Sequence, residues 1–260
     1  MANSGYNYAN GAAQQHQQNH TPQTPWYGEN GRFYGTFHPG QYLLPVDENE
    51  LDRMDIMHKF MTVARRQDAI HGLHEVSIPQ GPAILDLGCG TGIWAIDMAD
   101  QYQFGKVIGL DLNFSQPERH LKPSTGVIEH VEIDFTPLSG DNSLPYDSRL
   151  RFWFNELRLA HQQAGRPIVL DPTPETLLRQ AGFEDIKRNI KEIPYHPWPS
   201  SEHQRDVGRW FNLGMVHGLE AMSLAPLTRH RGYSKEQVDA LLQDVKREIC
   251  TRTFRSHCTM

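Results

Sequence analysis

The first 25 residues hold no Asp, Glu, Lys or Arg. Asn, Gln and Gly dominate them, and such a segment buries too little apolar surface to offset its ordering entropy. Residues 1–25 are therefore expected to be a disordered tail, with partner binding as the other use of such a composition. Cysteine is scarce: Cys89, Cys250 and Cys258 form an odd set without paired spacing. That suits a reducing compartment better than a disulfide scaffold. No apolar run approaches the length of a membrane span, and no positively charged start leads into an apolar stretch, so neither a membrane segment nor a secretory leader is expected. A cytoplasmic or nuclear location remains, and no Lys/Arg-rich cluster favours the nucleus. Acidic residues outnumber basic ones, 31 to 25, for a net charge of −6. This disfavours a dominant polyanion-binding surface, and no direct nucleic-acid binding is expected.

What is present begins with an aromatic stretch. Trp26, Tyr27, Phe33, Tyr34, Phe37 and Tyr42 stand with His38 among Gly28, Gly31, Gly35 and Gly40. The pattern suits an irregular arm packed onto a domain. A helix is expected over 47–71, with Asp47 as cap, Glu50 three residues on, and an apolar stripe of Leu51, Met54, Met57, Phe60, Met61 and Ala64. Residues 26–82 thus read as arm and leading helix. The period then changes. A short apolar strand, 83–87, ends in a glycine-rich turn at 88–92, a helix follows over 93–102, and a second strand over 106–112. Strand, turn, helix, strand is a βαβ unit. Beyond a polar, proline-broken piece at 113–125 come an expected strand at 127–135, helices at 147–163 and 174–181 (Thr173 as cap, Pro174 in the first turn, Gly182 as stop), and a strand at 183–193. Helices at about 202–222 and 235–250 follow, the last opened by a Ser234/Gln237 capping box.

The turn Asp86-x-Gly88-x-Gly90-x-Gly92 lies at the carboxyl end of a strand, where doubly wound sheets bind nucleotide-type ligands. Glycine lets backbone approach a ligand closely. Asp111 stands 25 residues after Asp86, at the end of the next strand, where a carboxylate can accept both hydroxyls of a ribose. The bland alternative is a βα turn that needs glycine only for packing. NAD would suit the same place, but the spacing is Gly-x-Gly-x-Gly rather than the dinucleotide Gly-x-Gly-x-x-Gly.

The run Ile84-Leu-Asp-Leu-Gly-Cys-Gly-Thr-Gly-Ile-Trp-Ala-Ile resembles motif I of class I methyltransferases. Its Gly92-Ile93-Trp94-Ala95 end resembles the fungal LaeA-like branch, as do Asp47-Glu-Asn-Glu-Leu-Asp-Arg-Met-Asp-Ile-Met-His-Lys-Phe, His130-Val-Glu-Ile-Asp-Phe and Trp210-Phe-Asn-Leu. The resemblance spans about 28–250. It implies an α/β, Rossmann-like methyltransferase domain over 83–260, with extra C-terminal helices, acting with S-adenosyl-L-methionine. It further implies that Asp86, Gly88, Cys89, Gly90 and Gly92 line the methionine end of this cofactor and that Asp111 holds the ribose. LaeA-like proteins act in fungal secondary metabolism or its regulation, with a small molecule or a protein as methyl acceptor.

One part of that family pattern has no sequence to be made from. A helix, a third strand, another helix and a central fourth strand normally follow the ribose carboxylate, but only residues 112–126 separate Asp111 from Val127. A single parallel crossover takes a dozen or more residues, and Pro117 and Pro123 break this stretch. The sheet is therefore expected to be incomplete, with exposed apolar edges and weak cofactor binding. An antiparallel strand that normally closes the family's chain after its last helix is likewise not expected here. Completion by a partner, a degenerate enzyme frame and a mis-joined reading of exons all fit these gaps. The competing functions are accordingly an active methyltransferase and a catalytically impaired regulatory protein that binds a protein partner.

No catalytic residue is assigned. His130, Glu132 and Asp134 share the face of one expected strand, which is more often a solvated face than a catalytic one. His58 and Lys59 on the leading helix suit surface pairing with Asp52, Arg53 and Asp55 better than cofactor contact. Cys250, His257 and Cys258 lack zinc spacing, so no metal is expected. Cys89 suits the turn by its small size, with no base beside it to make a nucleophile. Trp153, Trp198, Trp210 and Phe211 fit either a core or a substrate pocket.

Overall fold

The computed structural model describes residues 26–36, 40–66, 81–111, 127–169 and 174–260. The expected tail at 1–25, Phe37 and His38, residues 67–71, the junction 112–126 and the Thr173 cap lie outside these described residues.

The aromatic arm is more regular than expected. Strands β1 (Trp26–Glu29) and β2 (Arg32–Gly35) pair antiparallel as a hairpin. Asn30 and Gly31 both have positive φ, 52° and 83°. That is the turn which an Asn-Gly pair between alternating residues favours, and it was the missed signal. Helix α1 (Glu48–Ala64) begins where the cap was expected: the Glu50 amide donates to Asp47 Oδ1 at 3.2 Å. Glu50 does not return to close a capping box. Its buried carboxylate instead accepts two bonds from Arg53, at 2.9 and 2.7 Å.

Asp47 also ties the hairpin to the helix, because Arg32 donates to both of its oxygens at 2.8 and 2.7 Å. The Arg32 bond, outweighing burial, holds the Asp47 carboxyl below its ordinary 3.8. A depressed carboxylate stabilises the fold above the unfolded pKa, and the contribution fades as pH falls through the folded value. Asp47→Asn, which can still cap, is expected to cost about 1–3 kcal/mol at neutral pH. In urea melts the gap between parent and variant should close in acid below the ordinary carboxylate value. A gap unchanged at low pH would show that charge is not what the site contributes.

The expected βαβ unit is present. β3 (Ala83–Leu87), α2 (Ile93–Gln101) and β4 (Lys106–Leu110) form a parallel pair in register Ala83 to Lys106 through Leu87 to Leu110. A second sheet holds β5 (Asp134–Leu138), β6 (Glu192–Pro194) and β7 (His257–Thr259) in the order β5-β7-β6, all antiparallel. The central β7 corrects the expectation that no strand follows the last helix. Three residues suffice because both neighbours supply ladder partners: Cys258 pairs with Ile193, and Thr259 with both Asp134 and Glu192. Among the described residues the two sheets share no ladder. This is an incomplete Rossmann-like α/β fold.

Two other strands are shorter than their sequence pattern. Within 127–135 only Asp134 and Phe135 join a ladder, and Val127, Ile128 and Val131 are exposed. Within 183–193 only the end pairs, as β6. A β-prone sequence becomes a strand only where a partner edge lies beside it.

The helices carry the main core. α3 (Arg149–Gln163) is capped by Ser148, α4 spans Pro174–Gln180, and α6 (Lys235–Ile249) opens with the expected capping box at Ser234 and Gln237. α5 runs Glu202–Arg231, beyond the expected end near 222 and through Pro226. Burial of Leu224, Ala225 and Leu227 outweighs the helix-breaking tendency of the proline. Side chains from α1, α3, α5, α6 and β6 meet around Phe60, Trp153, Ile193 and Phe211. Trp153 and Phe211 are thus core, and the Trp153 indole donates to Ser223 at 2.7 Å. Gly214 and Gly218 let α5 touch α1, since a Cβ there would lie 2.6 Å from Met57 Sδ and 2.8 Å from Arg53 Cδ. The βαβ unit has a far smaller core, Ile84 and Met98 with Trp94, Tyr102 and Val107 around them. Leu87, Ile96 and Phe104 stay exposed there, as the loss of central strands would leave them.

Candidate functional site

The glycine turn folds back onto the end of β4. The amides of Gly88 and Cys89 donate to the Leu110 carbonyl at 2.7 and 3.0 Å, and the Gly92 amide donates to the Cys89 carbonyl at 2.8 Å. This places Asp111, the residue after β4, against the turn, where the Gly90 amide donates to its Oδ2 at 2.9 Å. Gly90 has φ +52°, and a Cβ on it would lie 2.9 Å from Met54 Sδ. Helix α1 therefore rests on the turn itself.

The sequence-derived residues Asp86, Gly88, Cys89, Gly90, Gly92 and Asp111 thus converge at the carboxyl ends of β3 and β4. Asp86 Oδ2 is buried without a hydrogen-bond partner. Burial, and then the charge of Asp111, raise the Asp86 carboxyl above its ordinary value. Two carboxylates held this close call for a ligand that brings donors and positive charge. S-adenosylmethionine fits that demand, having a sulfonium, an α-ammonium and two ribose hydroxyls. Burial, and then the charges of Asp86 and Asp111, also raise the Cys89 thiol above its ordinary value.

Three neighbours of the site escaped the sequence reading. Met54 was read only as part of an apolar stripe, yet its thioether touches the turn. His58 does not pair with Asp52 or Asp55: its Nε2 lies 2.8 Å from Asp97 Oδ2 on α2, joining the leading helix to the βαβ unit. Burial first, then the charges of Glu50 and Asp111, raise the Tyr42 phenol above its ordinary value. No spacing rule links His58 to Asp97, since the contact crosses between elements.

The weaker candidates fall elsewhere. His130 Nε2 lies 2.8 Å from Glu132 Oε1, and Asp134 accepts from Thr136. Lys59 lies over the Trp210 ring, 5.9 Å from its centroid. Trp198 donates to the Ser256 carbonyl at 3.0 Å. Cys258 is buried beside Tyr195, while Cys250 is exposed and donates to Asn212 at 3.8 Å. An open cleft of about 500 Å3 between the end of α1, β6 and the start of α5 shares no residue with the turn. Among the described residues no helix is long and apolar enough to cross a membrane.

Comparison with known proteins agrees with this geometry. Residues 57–152 match the methyltransferase domain family. The chain is 41% identical to the "Secondary metabolism regulator LAE1" of Cochliobolus heterostrophus, over 89% of this chain and 91% of that protein. It is 35% identical to the "Secondary metabolism regulator laeA" of Monascus pilosus, over 91% and 77%. To the "Protein-methionine methyltransferase laeA" of Emericella nidulans it is 34% identical, over 92% and 76%. No solved structure matches. The alignment to the Cochliobolus protein has 284 positions but uses only 89% of 260 residues, so about fifty positions of the relative face a gap in this chain. That shortfall is of the size expected for two crossovers with their strands. With its motif I turn in place and such relatives along about nine-tenths of its length, the chain belongs to the family of LaeA and LAE1 secondary-metabolism regulators, proteins built on a methyltransferase domain.

Proposed function

We propose that this protein binds S-adenosylmethionine at the Asp86–Gly92 turn and Asp111 and transfers its methyl group within the regulation of fungal secondary metabolism. The observation that carries the reading is the pairing of the Gly90–Asp111 contact with the buried, partnerless Oδ2 of Asp86, which together ask for a cationic ribose-bearing ligand. The relatives' names supply the biological setting, and one of them names methionine in protein as the acceptor. A protein thioether is accordingly the first acceptor to test, ahead of a small molecule. Methyl transfer is an in-line displacement in which the enzyme chiefly positions donor and acceptor and excludes water. No metal is needed. A cytoplasmic or nuclear location suits this role, and no nucleic-acid contact is part of it.

A second reading is favoured by the alignment gap and by the exposed Leu87 and Ile108 on the small sheet. In it the frame binds a regulatory protein and turns over little or no cofactor. The gap also bears on affinity. Losing some 100 Å2 of burial around adenine, at about 25 cal/mol per Å2, weakens binding by up to about two orders of magnitude.

The test is calorimetric titration of S-adenosylhomocysteine, the product form of the cofactor, into the full 260-residue chain. Saturable binding of one ligand per chain is expected. No heat and no thermal shift at millimolar ligand would reject the reading.

A further inference from the structure

We propose that His58 on α1 is a positioning residue of the cofactor site: through its bond to Asp97 on α2 it holds the glycine turn in the form that binds the methyl donor. This rests on the reading of the Asp86–Gly92 turn and Asp111 as that site.

Every residue assigned to the site belongs to the βαβ unit or follows it directly, and this unit has little of its own to hold it. Its buried core among the described residues is Ile84 and Met98, while Leu87, Ile96, Phe104 and Ile108 are exposed. A part with so few buried apolar contacts opens before the rest of a fold does. Helix α1 is its opposite. Phe60 and Ala64 lie in the main core, Gly214 and Gly218 bring α5 against Met57 and Arg53, and Asp47 ties the helix start to Arg32.

One face of α1 joins the two. Met54 and His58 stand four residues apart, so they project from the same side of the helix. The Met54 thioether lies against the turn: a Cβ on Gly90 would come 2.9 Å from its Sδ and 3.5 Å from its Cε. One helical turn further on, His58 Nε2 lies 2.8 Å from Asp97 Oδ2. A carboxylate only accepts, so His58 is the donor. Helix α2 begins at Ile93, directly after the turn, with Gly92 as a left-handed N-cap at φ 77° and no side-chain cap bond. Asp97 stands in the second turn of that helix. A bond there fixes where α2 begins, and with it where Gly88, Gly90 and Gly92 stand. The Gly90 amide then meets Asp111. A continuous run of contacts thus leads from the main core through His58, Asp97 and the turn to the ribose carboxylate. His58 acts on the site through Asp97 and not on the ligand itself.

Titrate the full chain with S-adenosylhomocysteine at a temperature well below the melting point of every variant. Pairs of this partly exposed kind shift an equilibrium by up to about fivefold, and apparent affinity falls with the fraction of chain in the binding-ready form. His58→Ala should therefore weaken binding by about fivefold, and Asp97→Ala by the same factor. The double variant should be no weaker than either single one, because all three lack the same bond. His58→Gln, whose side-chain amide can donate from the place of Nε2, should return affinity to within about twofold of the parent. A merely structural role would lower the melting point and leave affinity at this temperature unchanged. The Asp97 side chain is 52% exposed, so Asp97→Ala removes the bond without opening the core and keeps the test decisive if His58→Ala fails to fold. Unchanged affinity in both single variants overturns the proposal, and so do losses that multiply in the double variant. Asp111→Ala separates the two levels: no effect there rejects the cofactor site and this role with it, whereas an effect there with none at His58 and Asp97 rejects the role alone.

Discussion

Asp111→Ala is expected to weaken S-adenosylhomocysteine binding by tenfold or more, the largest loss from any single change at the site. Two effects add. The ribose hydroxyls lose a charged acceptor, worth about 1.5–3 kcal/mol for hydrogen bonds to a charged group. The Gly90 amide also loses the partner that holds the turn at 2.9 Å, so the turn is less pre-organised. The same substitution removes a charge that raises the Asp86 carboxyl, which should then ionise at lower pH. Asp111→Asn keeps an acceptor oxygen and should fall between parent and alanine. Equal affinity in all three would place the cofactor elsewhere.

Phe211→Ala is expected to be the most damaging single change to stability, at about 3–5 kcal/mol. Phe211 is fully buried at the centre of the helical core. Its ring lies 5.0 Å from Phe60, 5.5 Å from Tyr195 and 6.2 Å from Phe135, centroid to centroid, so one side chain links α5 to α1, to β5 and to the start of the segment after β6. Three rings around one hole cannot collapse together without moving three elements, which puts the cost at the high end. A fall in melting temperature of about 10 °C or more follows for a chain of this size. A shift of only a degree or two would mean that the four-ring cluster is not the stabilising centre of the protein. The substitution lies away from the glycine turn, so any cofactor binding at a temperature where the variant is folded should survive it.

The glycine turn and Asp111 were legible because their signal is local: a strand, a turn and a second strand within thirty residues fix where a carboxylate must stand. The helices were legible for the same reason. Asp47 and Ser234 each act within one turn of the helix they start. What sequence could not give depends on partners distant in the chain. β7 is only three residues long and exists because β5 and β6 flank it. Residues 127–133 have strand composition and no ladder, because among the described residues no edge lies beside them. His58 was read against its neighbours on α1, while its partner lies 39 residues away on α2. The hairpin at Asn30-Gly31 is the exception. Its signal is local, an Asn-Gly pair between alternating residues, and it makes a regular hairpin of the arm expected to be irregular. The shortened sheet follows from the family's pattern set against the length of 112–126, and the unaligned positions of a longer relative agree with it.

Methyl transfer itself is the most direct question to put to this protein. Incubate the intact chain with methyl-labelled S-adenosylmethionine, alone and with fungal protein extract, and follow label in protein by gel and by mass spectrometry of peptides. A methyltransferase with a short sheet should transfer label slowly, with one S-adenosylhomocysteine formed per methyl transferred, and Asp111→Ala should cut transfer by about fivefold or more at cofactor concentrations near the parent's Kd. Binding of S-adenosylmethionine with no label leaving it, under any acceptor supplied, would contradict the enzyme reading and leave a regulatory protein on a methyltransferase frame.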